Sequence, residues 1–319
     1  MLPAYGSLAP LVPWQTSARP MEWARCFGRE APLVLEIGFG NGEFLAREAA
    51  RHPERDFLGI ERRWVRVRSA LRKLAFARVP NVRLLHAPAE VALDWLFAPR
   101  TLASAYALFP CPWPRRRNIH ERLFGRRFVR TLNNRLVDGG TVEIVTDHLP
   151  YMDWIRGEVA GSGFESRVEA VAPRYETKYE RRWTARGQGI FQRIALRKVA
   201  HDEVKPTEES DLKTHRVERF DPDRFAPEGA RGECALEFRD FLFDARRRRG
   251  MVRVVVAEDD LTQDFWIEIA AREGDWHIRP ARGSWVLPTR GAAHALDRVR
   301  AAAAATGRSA PAREEGASP

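Results

Sequence analysis

Three glycines alternate in Gly38-Phe39-Gly40-Asn41-Gly42, and an acid, Glu36, stands two residues before the first of them. Apolar, β-compatible residues run up to Glu36, and a helical pattern starts at Glu43. This reads as strand, tight loop, helix. The glycines let the backbone turn sharply and let a ligand approach it closely. The spacing is Gly-x-Gly-x-Gly, not the Gly-x-Gly-x-x-Gly of dinucleotide folds. A diphosphate would be poorly served beside Glu36, whereas a cationic ligand would be well served. S-adenosylmethionine, with its sulfonium and ammonium, fits. A second strand, Phe57-Leu58-Gly59-Ile60-Glu61, follows and ends in an acid placed to accept from ribose hydroxyls. Glu36, Gly38, Gly40, Gly42 and Glu61 are therefore the expected cofactor residues. A Gly-rich turn in any α/β protein is the plainer reading, and Glu61 argues against it.

The second stretch with chemical content is Phe109-Pro110-Cys111-Pro112-Trp113-Pro114-Arg115-Arg116-Arg117. Two prolines around one residue make a stiff turn, and Trp113 offers a flat face on which a nucleobase could stack. Between Cys111 and Arg135 stand eight arginines (Arg115, Arg116, Arg117, Arg122, Arg126, Arg127, Arg130, Arg135) and one acid, Glu121. That excess reads as a phosphate-binding patch. A solvated basic helix face is the plainer alternative.

These residues need a frame. Strands are expected near 33–37, 56–60, 82–86, 103–109 and 141–146, with helices near 42–52, 62–77, 119–135 and 149–161. Such alternation means an α/β fold with a parallel sheet covered on both faces, its ligand crevice at the carboxyl ends of the strands. Further strands near 164–170 and 189–197 could close the sheet. Residues 1–30 read as an N-terminal arm with a short helix around 21–27, and 31–200 as the main domain. The polar, proline-punctuated stretch 201–231 reads as a linker. Strands then recur over 235–243, 252–256, 265–269 and from Trp276, with a hairpin turn at Glu273-Gly274-Asp275. A helix near 291–305 follows, so 232–305 reads as a small C-terminal α+β domain, and 306–319 as a disordered tail.

The 319-residue chain is 44% hydrophobic, enough for a real core. Its net charge of +10 points to a polyanionic partner. Arginine is common throughout and lysine scarce, so clustering says more than the total. Cys26, Cys111 and Cys234 are far apart and the histidines do not cluster, so neither a disulfide framework nor a metal site is expected. The N-terminus lacks a signal-peptide pattern and no apolar run approaches a membrane span. A soluble cytoplasmic protein is expected.

The sequence resembles the TrmB-type tRNA (guanine-N7-)-methyltransferases. The resemblance is carried by Leu35 to Phe44, Phe57 to Glu61, Asn81 to His86, Phe109 to Arg117, Thr146-Asp147-His148, and Arg174-Tyr175-Glu176-Thr177-Lys178-Tyr179-Glu180. It covers roughly residues 20–197 and keeps the family's order. The resemblance implies a Rossmann-like, S-adenosylmethionine-dependent methyltransferase fold acting on N7 of a guanine in the tRNA variable loop. Glu36 and the glycine loop would hold the methionine part of the cofactor and Glu61 its ribose. Arg115 would contact substrate, Asp147 would be a substrate-side acid, and Thr177 and Glu180 would line the guanine pocket. The last domain is similar to a C-terminal extension found in some members.

Two departures stand out. The family has an aspartate between its two prolines, counted as catalytic, where this chain has Cys111. It has another near the cofactor's adenine, where this chain has Pro88, which offers neither a side-chain acceptor nor a backbone N–H. That loss costs about 1–2 kcal/mol in cofactor binding. Two alternatives follow. One is a degenerate relative that binds tRNA and cofactor without useful catalysis. The other is a cytosine-C5 methyltransferase, since Phe109-Pro110-Cys111 looks like the Pro-Cys nucleophile of that class. Pro112-Trp113 follows as in the guanine-N7 family, and no acid motif of the cytosine type is present.

Overall fold

A computed structural model describes residues 7–258 and 261–307. The chain divides between Thr207 and Glu208 into two compact units.

The first unit is built on a seven-stranded sheet. Its strands are β1 (Leu33–Ile37), β2 (Asp56–Glu61), β3 (Val82–His86), β4 (Leu102–Leu108), β5 (Leu136–Thr146), β6 (Phe164–Val171) and β7 (Phe191–Lys198). Their spatial order is β3-β2-β1-β4-β5-β7-β6. The first five are parallel neighbours, and β7 enters antiparallel between β5 and β6. Every residue of β1 and β2 is buried. Successive side chains alternate between faces, so this requires cover on both. The Rossmann-like methyltransferase fold is the architecture expected. The chain reverses its direction of travel across the sheet between β1 and β4, which puts a switch-point crevice at their carboxyl ends.

The helices are α1 (Trp23–Phe27), α2 (Glu43–Arg51), α3 (Trp64–Ala77), α4 (Ala89–Leu96), α5 (Arg126–Arg135), α6 (Leu149–Val159) and α7 (Lys178–Thr184). Leu45 and Ala49 of α2, with Val67, Ala70 and Leu71 of α3, share one apolar cluster with Val34, Phe57 and Leu84. Two helices were not expected. In α4, Val91, Ala92, Leu93, Trp95 and Leu96 are all buried, and with Glu90 and Asp94 as its only polar residues the eight-residue segment is too short for its helical period to be read. The other, α7, is short and charged. In addition, α5 starts later than expected, because Arg116–Glu121 forms a 3₁₀ turn, and β5 starts earlier, with a register irregularity against β4.

The second unit is an antiparallel sheet ordered β8-β12-β11-β10-β9, from β8 (His215–Val217), β9 (Ala235–Asp244), β10 (Arg249–Glu258), β11 (Leu261–Arg272) and β12 (Asp275–Pro280). A final helix, α8 (Arg290–Thr306), packs its Ala295, Leu296 and Val299 into the same core as Val254, Ile267 and Ile278. The turn between β11 and β12 is a two-residue loop, Glu273 and Gly274 both at positive φ, as a tight hairpin requires. The stretch 201–231 is not a linker throughout. Val217 sits on β8, and Phe220 and Phe225 are buried in this core; three apolar residues among many acids hide such a role in composition. Most of the expected tail, 308–319, lies outside the described residues, as do residues 1–6 of the arm.

Candidate active site

Glu36 lies near the carboxyl end of β1, beside Gly59 of β2 and Tyr106 of β4. It is 3% exposed. Burial pushes its carboxyl up to about 8, although Arg47 on α2 and a hydrogen bond from the Leu45 N–H pull the other way. Its Oε2 is buried without a hydrogen-bond partner among the described residues. An orphaned buried carboxyl oxygen is costly, and an ammonium group is the kind of ligand that satisfies it once the carboxyl ionises.

The loop above it is held by main-chain bonds from Gly38 N–H to the Ile60 carbonyl (2.8 Å) and from Gly42 N–H to the Phe39 carbonyl (2.8 Å). Gly38, Gly40 and Gly42 all have positive φ, at 73°, 55° and 71°. A Cβ on Gly38 would meet nothing within 4 Å and one on Gly40 only the Gly38 carbonyl, at 4.0 Å, so this part of the loop is open to a ligand. Gly42, expected beside them, is also tightly packed. A Cβ there would lie 2.6 Å from the Ala70 Cβ on α3. Glu61 ends β2, buried; its Oε2 accepts from Gly40 N–H (3.3 Å) and its Oε1 from Arg63 N–H (2.9 Å). The two acids sit on adjacent parallel strands, and Glu61 is near enough to raise Glu36 further. Pro88 follows β3, exposed, as the N-cap of α4.

The turn after β4 is conformationally demanding. Phe109 and Trp113 both have positive φ, 57° and 43°, which bulky residues rarely adopt. Phe109 N–H is anchored on the Val145 carbonyl of β5 (2.8 Å). Cys111 is free and exposed, and Trp113 half-buried. The eight arginines do not form one patch. Arg135 is 5% exposed and donates to the Leu93 carbonyl, and Arg127 pairs with Asp94 at 2.9 Å. Arg122 donates to the Pro112 carbonyl. Arg115, Arg116, Arg117, Arg126 and Arg130 remain exposed, with no ion pair among the described residues.

Asp147 follows β5, half-buried, ahead of His148, whose ring accepts from Tyr151 N–H and caps α6. Thr177 caps α7, its Oγ1 accepting from Glu180 N–H at 3.1 Å. Glu180 is not poised as an acceptor for guanine. It is 2% exposed, and its carboxylate takes the N–H groups of Arg174 (2.8 Å), Tyr175 (3.1 Å) and Glu176. A Thr-x-x-Glu run is a capping box by pattern, and here the acid brackets the preceding turn as well. Glu180→Gln puts an amide donor where these N–H groups need an acceptor. Faster hydrogen exchange at 174–176 is expected in the free protein, from a local loss of about 1–3 kcal/mol.

The sequence carried no signal for two supports of this rim. Arg47 donates to the Tyr175 carbonyl (2.7 Å) and pairs with Glu176 (3.3 Å). Glu143 takes the Tyr175 hydroxyl and pairs with Arg193 (2.6 Å). Burial raises Tyr106 and Tyr175, while Arg193 and the Tyr175 hydroxyl overcome burial to hold Glu143 low.

A family model described as "Putative methyltransferase" matches residues 30–193. A tRNA (guanine-N7-)-methyltransferase of Thermotoga maritima is 32% identical over 286 residues, covering 83% of this chain and 87% of the relative. The chain belongs to the tRNA (guanine-N7-)-methyltransferase family. The enzyme of that name from Thermus thermophilus is 35% identical over 265 residues, covering 81% of this chain and 85% of its own. Both alignments are too long for the first unit and run into the second. The Chlorobium phaeobacteroides member is 39% identical over 172 residues, which cover 54% of this chain and 84% of that one. That member has no room for a second unit of this size. Among solved structures, the 16S rRNA methyltransferase KamB is 16% identical with a TM-score of 0.45, over 56% of this chain and 92% of its own. No helix among the described residues is long and apolar enough to cross a membrane, and no group of three or more His, Cys, Asp or Glu among them could hold a metal ion.

Proposed function

We propose that this chain is a tRNA (guanine-N7-)-methyltransferase that uses S-adenosylmethionine and acts on a variable-loop guanine. The observation that carries the reading is the orphaned Glu36 carboxyl beneath an open glycine loop at the switch point, in a chain of this family. When bound, the cofactor supplies an electrophilic methyl group. Glu36 and the loop at Gly38 and Gly40 hold its methionine ammonium, and Glu61 its ribose. Guanine N7 has an in-plane lone pair and needs no deprotonation, so no general base is required. Alignment is what the protein contributes. Trp113, Cys111 and Asp147 line the substrate side, and Arg115 meets the RNA backbone. Thr177 and Glu180 shape the rim. The degenerate and cytosine-C5 readings are not favoured, because the relatives named above share the guanine-N7 name. Labelled methyl should pass to unmodified tRNA but not to a transcript in which 7-deazaguanine replaces guanine. Equal labelling of both would overturn the reading.

Charge supports a tRNA footprint on the first unit. Residues 1–207 hold 34 Lys and Arg against 22 Asp and Glu, and residues 208–319 hold 19 against 21. Electrostatic affinity for RNA follows such an excess. Replacing Arg115, Arg116 and Arg117 with alanine is expected to weaken tRNA binding and flatten its salt dependence, by about 0.7–0.9 in log–log slope for each phosphate no longer neutralised. An unchanged slope would place the tRNA elsewhere. The second unit aids stability or tRNA binding and carries no chemistry. A chain ending at Thr207 should stay folded and methylate tRNA. A folded, tRNA-binding but inactive chain would contradict this.

A further inference from the structure

Arg122 belongs by sequence to the arginine cluster, but its guanidinium is engaged elsewhere. Its Nε–H donates to the Pro112 carbonyl at 2.9 Å. Its Cζ lies over the Tyr151 ring (5.3 Å to the centroid) and the Trp154 ring (5.1 Å) of α6. These two rings are themselves stacked, 5.8 Å apart at 21°. Among the described residues, this is the one side-chain hydrogen bond to the main chain of 110–114. The same turn is flanked by two non-glycine residues at positive φ, a conformation that persists only when its surroundings impose it. The Tyr151 ring beneath Arg122 is fully buried, so the arginine is held against a fixed surface. Because α6 begins directly after Asp147 and His148, Arg122 joins the loop that carries Cys111 to the helix that follows Asp147.

We propose that Arg122 is a positioning residue for methyl transfer, which fixes the Pro110–Trp113 turn against α6 and does not contact tRNA phosphate. This rests on the function proposed above. A planar guanidinium can lie over rings while Nε donates sideways; a lysine ammonium cannot do both. Lysine therefore separates the roles, since it would still serve a phosphate.

The test compares full-length Arg122→Ala and Arg122→Lys with the wild type. Single-turnover methylation of tRNA should fall about 10²-fold in both variants, the scale of a displacement near 1 Å at a reacting centre. The tRNA Kd and its salt slope should not move. Hydrogen exchange at the Cys111 and Trp113 amides should quicken in both. That exchange reads the turn without catalysis, so it decides the proposal even if the wild type methylates nothing and the functional reading fails. A lysine variant with wild-type rate and exchange, or an alanine variant with raised tRNA Kd and a flatter salt slope, would overturn it. Should the Arg122 variants not fold, Trp154→Leu keeps the arginine and removes one of its rings. Slower methylation and faster turn exchange are expected there, and no change in either would count against the proposal.

Discussion

Cys111→Asp is expected to raise guanine-N7 methylation by about 10²–10³-fold, the usual worth of one preorganised electrostatic group. Methyl transfer leaves positive charge on the purine, and a fixed carboxylate beside it offsets that charge where a thiol does so poorly. The position is exposed at the head of a stiff turn between Pro110 and Pro112, so a carboxylate fits without entering the core. Cys111→Ser should leave the rate low. Steady-state methylation of one tRNA by the three proteins checks this. If Cys111→Asp abolishes an activity that Cys111 supports, or a fluorinated cytosine substrate traps the protein covalently, Cys111 is a nucleophile.

Glu36→Gln is expected to weaken S-adenosylmethionine binding about 10–100-fold, the range set by one hydrogen bond to a charged group. It should also change how the free protein responds to pH. Burial holds the Glu36 carboxyl up to about 8, against an ordinary value of 4.5. Between those values the unfolded chain gives up a proton that the folded chain retains. The group's contribution to stability is therefore fully present below about 4.5 and lost as pH rises through about 8. In Glu36→Gln this part of the slope should vanish. An ammonium ligand favours the ionised carboxylate, so binding near pH 7 should release a proton from Glu36. Calorimetry in two buffers of different ionisation enthalpy reads that release as the difference between wild type and variant. An unchanged affinity with no such difference would remove Glu36 from the site.

The glycine loop and all seven strands of the first sheet were legible because each is a local pattern: alternating glycines, or a short apolar or alternating run between turn signals, and Glu61 ends one such run. What was not legible depends on tertiary partners. Five of eight residues of α4 are buried, and one Glu90–Asp94 pair is too little to show a helical period in so short a segment. Phe220 and Phe225 belong to a core that only the second sheet creates. The arginines from Arg115 to Arg135 look alike in sequence, yet folding sends Arg135 inward, ties Arg127 to Asp94 and lays Arg122 over two rings. Composition counts such residues equally, whereas their surroundings divide them into scaffold and surface. Glu180 shows the same limit. Thr-x-x-Glu marks a helix start as well as a pocket, and three main-chain N–H groups compete for the acid.

The most direct measurement is the identity of the methylated nucleoside. Unmodified tRNA is incubated with S-adenosylmethionine and the full-length chain, digested, and its nucleosides resolved by mass spectrometry. The expected product is 7-methylguanosine, mapped to the variable loop and absent when Glu36→Gln replaces the wild type at low cofactor concentration. Formation of 5-methylcytidine, or no methylated nucleoside even with Cys111→Asp, would contradict the assignment.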